Sequence, residues 1–281
     1  MVASYPSPVD KLLTYGEIDI LEVSNVLQED REHLHSKKRG INYVEELGFT
    51  LEHVPDLLRM VVDEELNFGD GENLEYWAPI HALRVIGELR AEDAIQPLID
   101  FFQTVDQEND SIMMALPDAI ATIGEKAISP LEACITNFSQ ESNQDNGCED
   151  AVIALGSIAT KYPELSDRCV KILTQQLECF ADNKTEINGL LIEELIELNV
   201  VESAPIIEKV FAAKRVSLCL VRNWEEAQIE LGLKEQPPAK YVNYSFDEEF
   251  KYSRNQPQST AQGFASSNPQ QKKKNQKKAK K

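Results

Sequence analysis

Few residues in this chain have types and spacing suited to chemistry, and each has a plainer reading beside it. His33 and His35 form His-x-His in a charged helical or loop context. Zinc needs three or four ligands in fixed geometry, and no third is apparent. Asp63–Asn73 (DEELNFGDGEN) offers carboxylates, but sixth from Asp63 stands Phe68 rather than Gly, and twelfth stands Leu74 rather than Glu. It therefore fails the EF-hand rule and reads as a solvated acidic loop. The chain has no Gly-x-Ser-x-Gly, P-loop or Gly-x-Gly-x-x-Gly pattern, so no nucleophile elbow or phosphate cradle is expected. Cys134, Cys148, Cys169, Cys179 and Cys219 show no Cys-x-x-Cys pair. An odd set without a framework suggests reduced thiols in a cytoplasmic protein. Those at 134, 169 and 179 fall among apolar neighbours, as small buried hydrophobes do. No catalytic residue, metal ligand or cofactor is expected.

Charge is more telling. Lys and Arg total 28 against 48 Asp and Glu. Lys272, Lys273, Lys274, Lys277, Lys278, Lys280 and Lys281 give the last ten residues +7, which leaves −27 on residues 1–271. An acidic body argues against a nucleic-acid groove, because phosphates require Lys and Arg. The tail alone suits a polyanion: RNA, DNA or an anionic membrane. Without aromatic residues for base stacking, such contact is sequence-blind and salt-sensitive. Folding back onto the acidic body and a plain solubility tail are the other readings. The opening residues show no signal peptide. No apolar run approaches the roughly 20 residues of a membrane span.

The elements that position these residues are helical. In Trp77–Val105, Ile80, Leu83, Ile86 and Gly87 share one helical face, with Pro79 in a tolerated first-turn position. Ile95, Leu98, Phe101, Phe102 and Val105 form a second face after Glu92 and Asp93. A pair this short cannot bury its apolar face alone. Variants recur. Ala82-Leu83-x-x-Ile86-Gly87 returns as Ala119-Ile120-x-x-Ile123-Gly124, as Ala151-Val152-x-x-Leu155-Gly156, and in degenerate form as Leu191-Ile192-x-x-Leu195-Ile196. Ala94-Ile95-Gln96-Pro97-Leu98 returns as Ala127-Ile128-Ser129-Pro130-Leu131 and Ser203-Ala204-Pro205-Ile206-Ile207. A weaker unit precedes them at Tyr43–Gly48 and Val54–Leu58. Counted on residues 48, 87, 124, 156 and 196, the intervals are 39, 37, 32 and 40, a period of helical solenoids.

This pattern resembles HEAT-type repeats, in particular the HEAT-like repeats of the phycobilisome-lyase class, over roughly Asn42–Phe211. The layout also resembles an uncharacterised bacterial HEAT-like group that often ends in a SEC-C zinc motif. This chain lacks a Cys cluster after Cys219, so that zinc site is not carried over. The resemblance implies an all-α fold, a right-handed α-α solenoid of about four to five helix pairs. The expected organisation is a helical N-terminal cap over residues 1–40, the solenoid over 41–235, an aromatic and acidic extension over 236–252, and a disordered Lys-rich tail over 253–281. Within it, short helices are expected at Asp10–Leu13 and Ile18–Glu29, and a closing helix at Arg222–Leu231.

Two sets of residues are candidate partner-binding positions. Trp77, His81, Arg84 and Glu88 fall on one stripe of a first helix, an aromatic anchor beside an arginine. The plainer reading packs Trp77 and His81 on the preceding unit and leaves Arg84–Glu88 an i,i+4 pair. Asp118 occupies the position of His81 in the next copy. In HEAT-like arrays the second helices line the concave face. That resemblance places Gln96, Asp100, Gln103, Glu132, Thr136, Asp167, Lys171, Gln175, Glu178 and Glu208 on a mildly acidic trough, which suits a basic or helical polypeptide or is merely solvated.

The leading functional expectation is a non-enzymatic protein-binding scaffold or adaptor. Chromophore attachment of the phycobilin-lyase kind is one alternative, resting on repeat resemblance alone. An RNA- or ribosome-associated protein using the tail is another. A HEAT-like DNA glycosylase is disfavoured, since it needs a basic concave face. Ile86→Asp or Ile123→Asp places a carboxylate in the core and should abolish the cooperative thermal transition. A midpoint near wild type would show that the helix faces are misassigned.

Overall fold

A computed structural model describes residues 4–16, 42–68, 72–104, 109–138, 148–217 and 223–235, all within the compact unit Met1–Glu235. These residues are predominantly helical and contain no strand. After a 3₁₀ turn at Val9–Thr14 come α1 (Tyr43–Leu47), α2 (Val54–Val61), α3 (Glu64–Asn67), α4 (Ala78–Glu88), α5 (Ile95–Phe102) and α6 (Asp110–Ile123). Then follow α7 (Glu125–Phe138), α8 (Cys148–Lys161), α9 (Ser166–Glu178), α10 (Thr185–Glu197), α11 (Ala204–Ala212) and α12 (Trp224–Glu230).

Local chemistry explains where these helices begin. The side chains of Asn42, Asp63, Asn109 and Asn223 accept backbone N–H groups of Glu45, Glu65, Ile112 and Glu226 at 2.9–3.2 Å. Each satisfies a donor that the first turn leaves open. Helices α2, α5, α9 and α11 start differently, each emerging from a 3₁₀ turn: Leu51–His53, Glu92–Ala94, Pro163–Leu165 and Val201–Ser203. Pro55, Pro79 and Pro205 occupy the first turns of α2, α4 and α11, where the missing N–H has no intrahelical partner.

The ends of α1, α4 and α10 share a signature. Glu46-Leu47-Gly48, Glu88-Leu89-Arg90 and Glu197-Leu198-Asn199 each place their third residue in the left-handed region, at φ 73°, 48° and 52°. After Arg90 and Asn199, the Ala91 and Val200 amides reach back to the carbonyls of Ile86 and Leu195 at 3.2 and 2.9 Å. This closure occupies orphan carbonyls and turns the chain sharply toward the next helix.

The helices pack in two rows. α2, α4, α6, α8 and α10 each lie against the next member of their row, as do α5, α7, α9 and α11. Two first-row helices, α4 and α8, are apolar nearly all round. In α4 every residue from Ala78 to Gly87 except Arg84 is buried, as befits a helix with neighbours on several sides. α8 touches α6 and α10 in its own row and α7 and α9 in the other. Second-row helices bury one stripe, such as Cys169, Ile172, Leu173 and Leu177 of α9.

The glycines of the sequence repeat do different work. At Gly87 an added Cβ would lie 3.1 Å from the Ala119 carbonyl oxygen and 3.1 Å from Thr122 Cβ, so hydrogen there lets α4 and α6 approach closely. At Gly156 the corresponding volume is taken by the end of the Glu194 side chain of α10. Gly124 sits at φ 90° and ends α6, with α7 starting at the next residue. Counting the repeat on glycine therefore mixes helix-interior positions with a helix end.

Other local expectations need adjustment. Asp63–Asn73 is not simply a loop: Asp63 caps α3 inside it. Asp10–Leu13 lies in a 3₁₀ turn rather than an α-helix, and the closing helix is α12. Ile18–Glu29, the extension and the tail lie outside the described residues. Among those described, no helix is long and apolar enough to cross a membrane.

Gly87→Ala should lower the thermal midpoint. Overpacking against a backbone carbonyl and a β-branched side chain costs about 1–3 kcal/mol, which exceeds the gain of up to about 1 kcal/mol in helix propensity. A midpoint at or above wild type would show that the α4–α6 contact yields freely.

Candidate functional site

The stripe on α4 is a joint with α1. His81 is completely buried. Its Nδ1 shares a 2.5 Å hydrogen bond with the Tyr43 hydroxyl, 38 residues earlier. The Tyr43 and Tyr15 rings stand tilted to the imidazole, each with its centroid 5.7 Å away. Seven residues along α4, the Glu88 carboxylate accepts the Val44 N–H at 3.2 Å. Burial raises the pKa of Glu88 above the usual carboxylate range, while the Val44 and Tyr43 amides and Arg84 pull it the other way. Trp77 is half-buried, edge-on to Tyr76 with centroids 5.1 Å apart. An open docking patch built from Trp77, His81, Arg84 and Glu88 is thus corrected: His81 lies inside, because α4 has neighbours on the face that periodicity alone would leave free.

Polar contacts bridge the later helices at similar sequence separations. Lys161 of α8 meets Asp118 of α6 at 2.7 Å and donates to Thr122 Oγ1 at 2.7 Å. The neighbouring Tyr162 hydroxyl donates to the Thr122 carbonyl at 2.7 Å. Arg168 of α9 reaches Ser129 Oγ at 2.8 Å and Glu125 at 3.8 Å on α7. Lys126 of α7 meets Glu92 at 3.5 Å. Asp118, a candidate for partner contact, is therefore already engaged within the fold. These pairs are exposed, and such pairs are worth at most about 1 kcal/mol each. Their recurrence fixes register more than stability.

The second-row candidates are placed differently. Asp100 on α5, Glu178 on α9 and Glu208 on α11 are exposed, and Glu132 on α7 is half-buried. Asp100 accepts a hydrogen bond from Gln96 Nε2 at 2.8 Å. Among the described residues, the ion pairs take up Lys126, Lys161 and Arg168 and engage none of Asp100, Glu178 and Glu208. His33, His35 and Lys272–Lys281 lie outside the described residues.

Residues that periodicity did not single out carry further buried polar chemistry. Asn183 and Asn188 are fully buried. Asn183 accepts from Gln176 Nε2 at 2.8 Å and donates to Asn188 Oδ1 at 2.9 Å. Asn188 donates to the carbonyls of Phe180 and Arg215 at 3.0 and 2.6 Å. This knot ties the α9–α10 connection to the end of α11, and the polar stretch that carries it, ADNKTEIN over residues 181–188, gives no sequence signal that its two asparagines are buried.

Asp150 near the start of α8 is 3% exposed, and burial with the nearby Glu149 charge raises its pKa to about 7. Cys134 and Cys148 are also buried, and burial pushes their thiols up, Cys134 to about 11. Cys169 rises to about 11 for the same reason. Such thiols stay protonated and are poor nucleophiles. Cys179 is exposed at the end of α9, unlike the buried position expected from its apolar neighbours. Among the described residues, no group of three or more His, Cys, Asp and Glu side chains could hold a metal ion.

No protein-family description, curated protein or solved structure matches this chain.

Asp150 also sets a pH dependence. The unfolded chain releases this proton near the ordinary value of 3.8, whereas the folded chain holds it to about 7. Folding thus gains most from Asp150 below about pH 4, and that contribution is lost as pH rises to about 7. Asp150→Asn removes the term. Relative to wild type it should gain on the order of 2–4 kcal/mol from pH 4 to pH 8 by denaturant titration. Parallel stability–pH profiles for the two proteins would contradict the assignment.

Proposed function

We propose that this protein is a HEAT-like α-α solenoid of about four to five helix pairs acting as a non-enzymatic scaffold, with its second-row helices facing a protein partner. The observation that carries this reading is the division of charge. Lys126, Lys161 and Arg168 bridge one helical segment to the next, while Asp100, Glu178 and Glu208 remain exposed on α5, α9 and α11 and outnumber the exposed Lys171 and Lys209 of the same row. A basic polypeptide, extended or helical, fits that row better than a nucleic acid, whose phosphates the carboxylates would repel. Complementary charge contributes chiefly to encounter rate and register, so the bound segment also needs apolar anchors.

The resemblance to HEAT-like repeats supports the same reading, because such arrays hold partners along one face. The Lys-rich tail enters as a tether for the scaffold.

The experiment is a tagged pull-down from nuclease-treated native lysate, comparing the full chain, a chain ending at Gln271 and a D100K/E178K/E208K variant. The expected result is one discrete protein held by the first two and retained about tenfold less, or worse, by the third, which corresponds to a loss of about 1.4 kcal/mol or more. Equal retention by all three would remove the acidic row from the interface. A partner seen only with the full chain and washed off by moderate salt would make the tail the functional element.

A further inference from the structure

Glu194 of α10 occupies an unusual position. Its carboxyl lies directly on the Cα of Gly156 in α8, filling the volume that a Cβ at residue 156 would need. The surrounding seam is apolar: Val152, Leu155 and Ala159 of α8 and Leu191, Ile192 and Leu195 of α10 are buried. The charges that reach Glu194 are Glu197 and Glu193 on its own helix. Glu230 of α12 adds to the negative field at Glu193. From α8 and α9, which pack against α10, no ionisable group weighs on it. Among the described residues, then, carboxylates face this carboxyl and no cation offsets them.

We propose that the α8–α10 seam is a protonation-dependent joint, closed while Glu194 rests on Gly156 as the neutral acid and loosened when that carboxyl ionises and swings to water.

The neutral acid fits because glycine leaves room for it and because a protonated carboxyl costs far less to bury than a carboxylate. Burial, followed by the like charges of Glu197 and Glu193, raises its pKa to about 8. The joint therefore changes state just above neutrality. Glu194 is a long side chain near the surface, so its ionised form reaches water by rotation of its own bonds. What it leaves behind is a gap over Gly156 between two helices that otherwise touch, and the seam loses contacts there. The two arrangements differ in one buried proton, and pH selects between them by that difference.

The test is hydrogen exchange on the full chain at pH 7 and pH 9, corrected for intrinsic exchange rates, read on amides 185–197 of α10 with 78–88 of α4 as reference. Ionised Glu194 rises several-fold over that interval, so amides of α10 should open several-fold more often relative to the reference. In Glu194→Gln the neutral side chain stays in place, and the α10 ratio should be the same at both pH values. In Gly156→Ala the new methyl group takes the place of the Glu194 carboxyl at either pH, so the ratio should be the same at pH 7 and pH 9. A Glu194→Gln or Gly156→Ala profile that rises with pH as the wild type does would overturn the proposal. So would a wild-type seam indifferent to pH.

Discussion

The constraint behind the whole fold is that a short helix with apolar surface on several sides has no stable existence alone. α4 and α8 show it most plainly. Nearly all of α4 is buried, and α8 is enclosed by α6, α7, α9 and α10. Full burial of one Leu or Ile is worth about 1.5–3 kcal/mol, so a helix carrying several such residues is held mainly by its neighbours. The exposed pairs Lys161–Asp118, Arg168–Glu125 and Lys126–Glu92 are weak beside this. They matter as register marks, joining positions one helix pair apart. The buried Asn183–Asn188 knot is a stronger mark, because misplacing it would strand several buried polar groups at once.

The sequence reveals the helical pairs well and their joints poorly. Ile80, Leu83 and Ile86 face inward as their spacing implies, because a 3.6-residue period fixes which side chains share a face. Glycine is a less reliable ruler. Gly87 serves close helix contact, Gly156 leaves room for the Glu194 carboxyl and Gly124 terminates a helix, and composition does not separate those uses. The Glu-Leu-x ends at Gly48, Arg90 and Asn199 are a better one, since all three share a left-handed residue. His81 illustrates a further limit. Its spacing from Trp77, Arg84 and Glu88 is visible in the sequence, but its partner Tyr43 is 38 residues away. Only the packing of α1 on α4 decides that the imidazole points inward. Cys179 errs the other way: apolar neighbours suggested burial, yet it lies where α9 has already ended.

Acidity runs through both function and stability here. Carboxylates left exposed on the second row provide the proposed binding surface. Asp150, which is buried, and Glu194, which is half-buried, hold protons well above the usual carboxylate range. For both, the folded chain retains a proton that the unfolded chain releases, so these two groups favour the fold more at mildly acidic pH than at alkaline pH. The net charge of −20 adds self-repulsion to the same trend. A basic partner along the second row would relieve part of that repulsion, which gives binding and stability a common electrostatic origin.

The central claim, that each helix is held by its neighbours in the row, is tested most directly by a small cavity in the middle of it. Ile120 of α6 is fully buried, and Ile120→Val removes one methylene at a cost of about 0.5–1.5 kcal/mol, mild enough to leave the protein folded. Hydrogen exchange along the chain then reports where protection is lost. The account predicts loss in α6 and in both flanking helices, α4 and α8, fading toward α2 and α10. Loss confined to α6, or loss spread equally to α12, would contradict it.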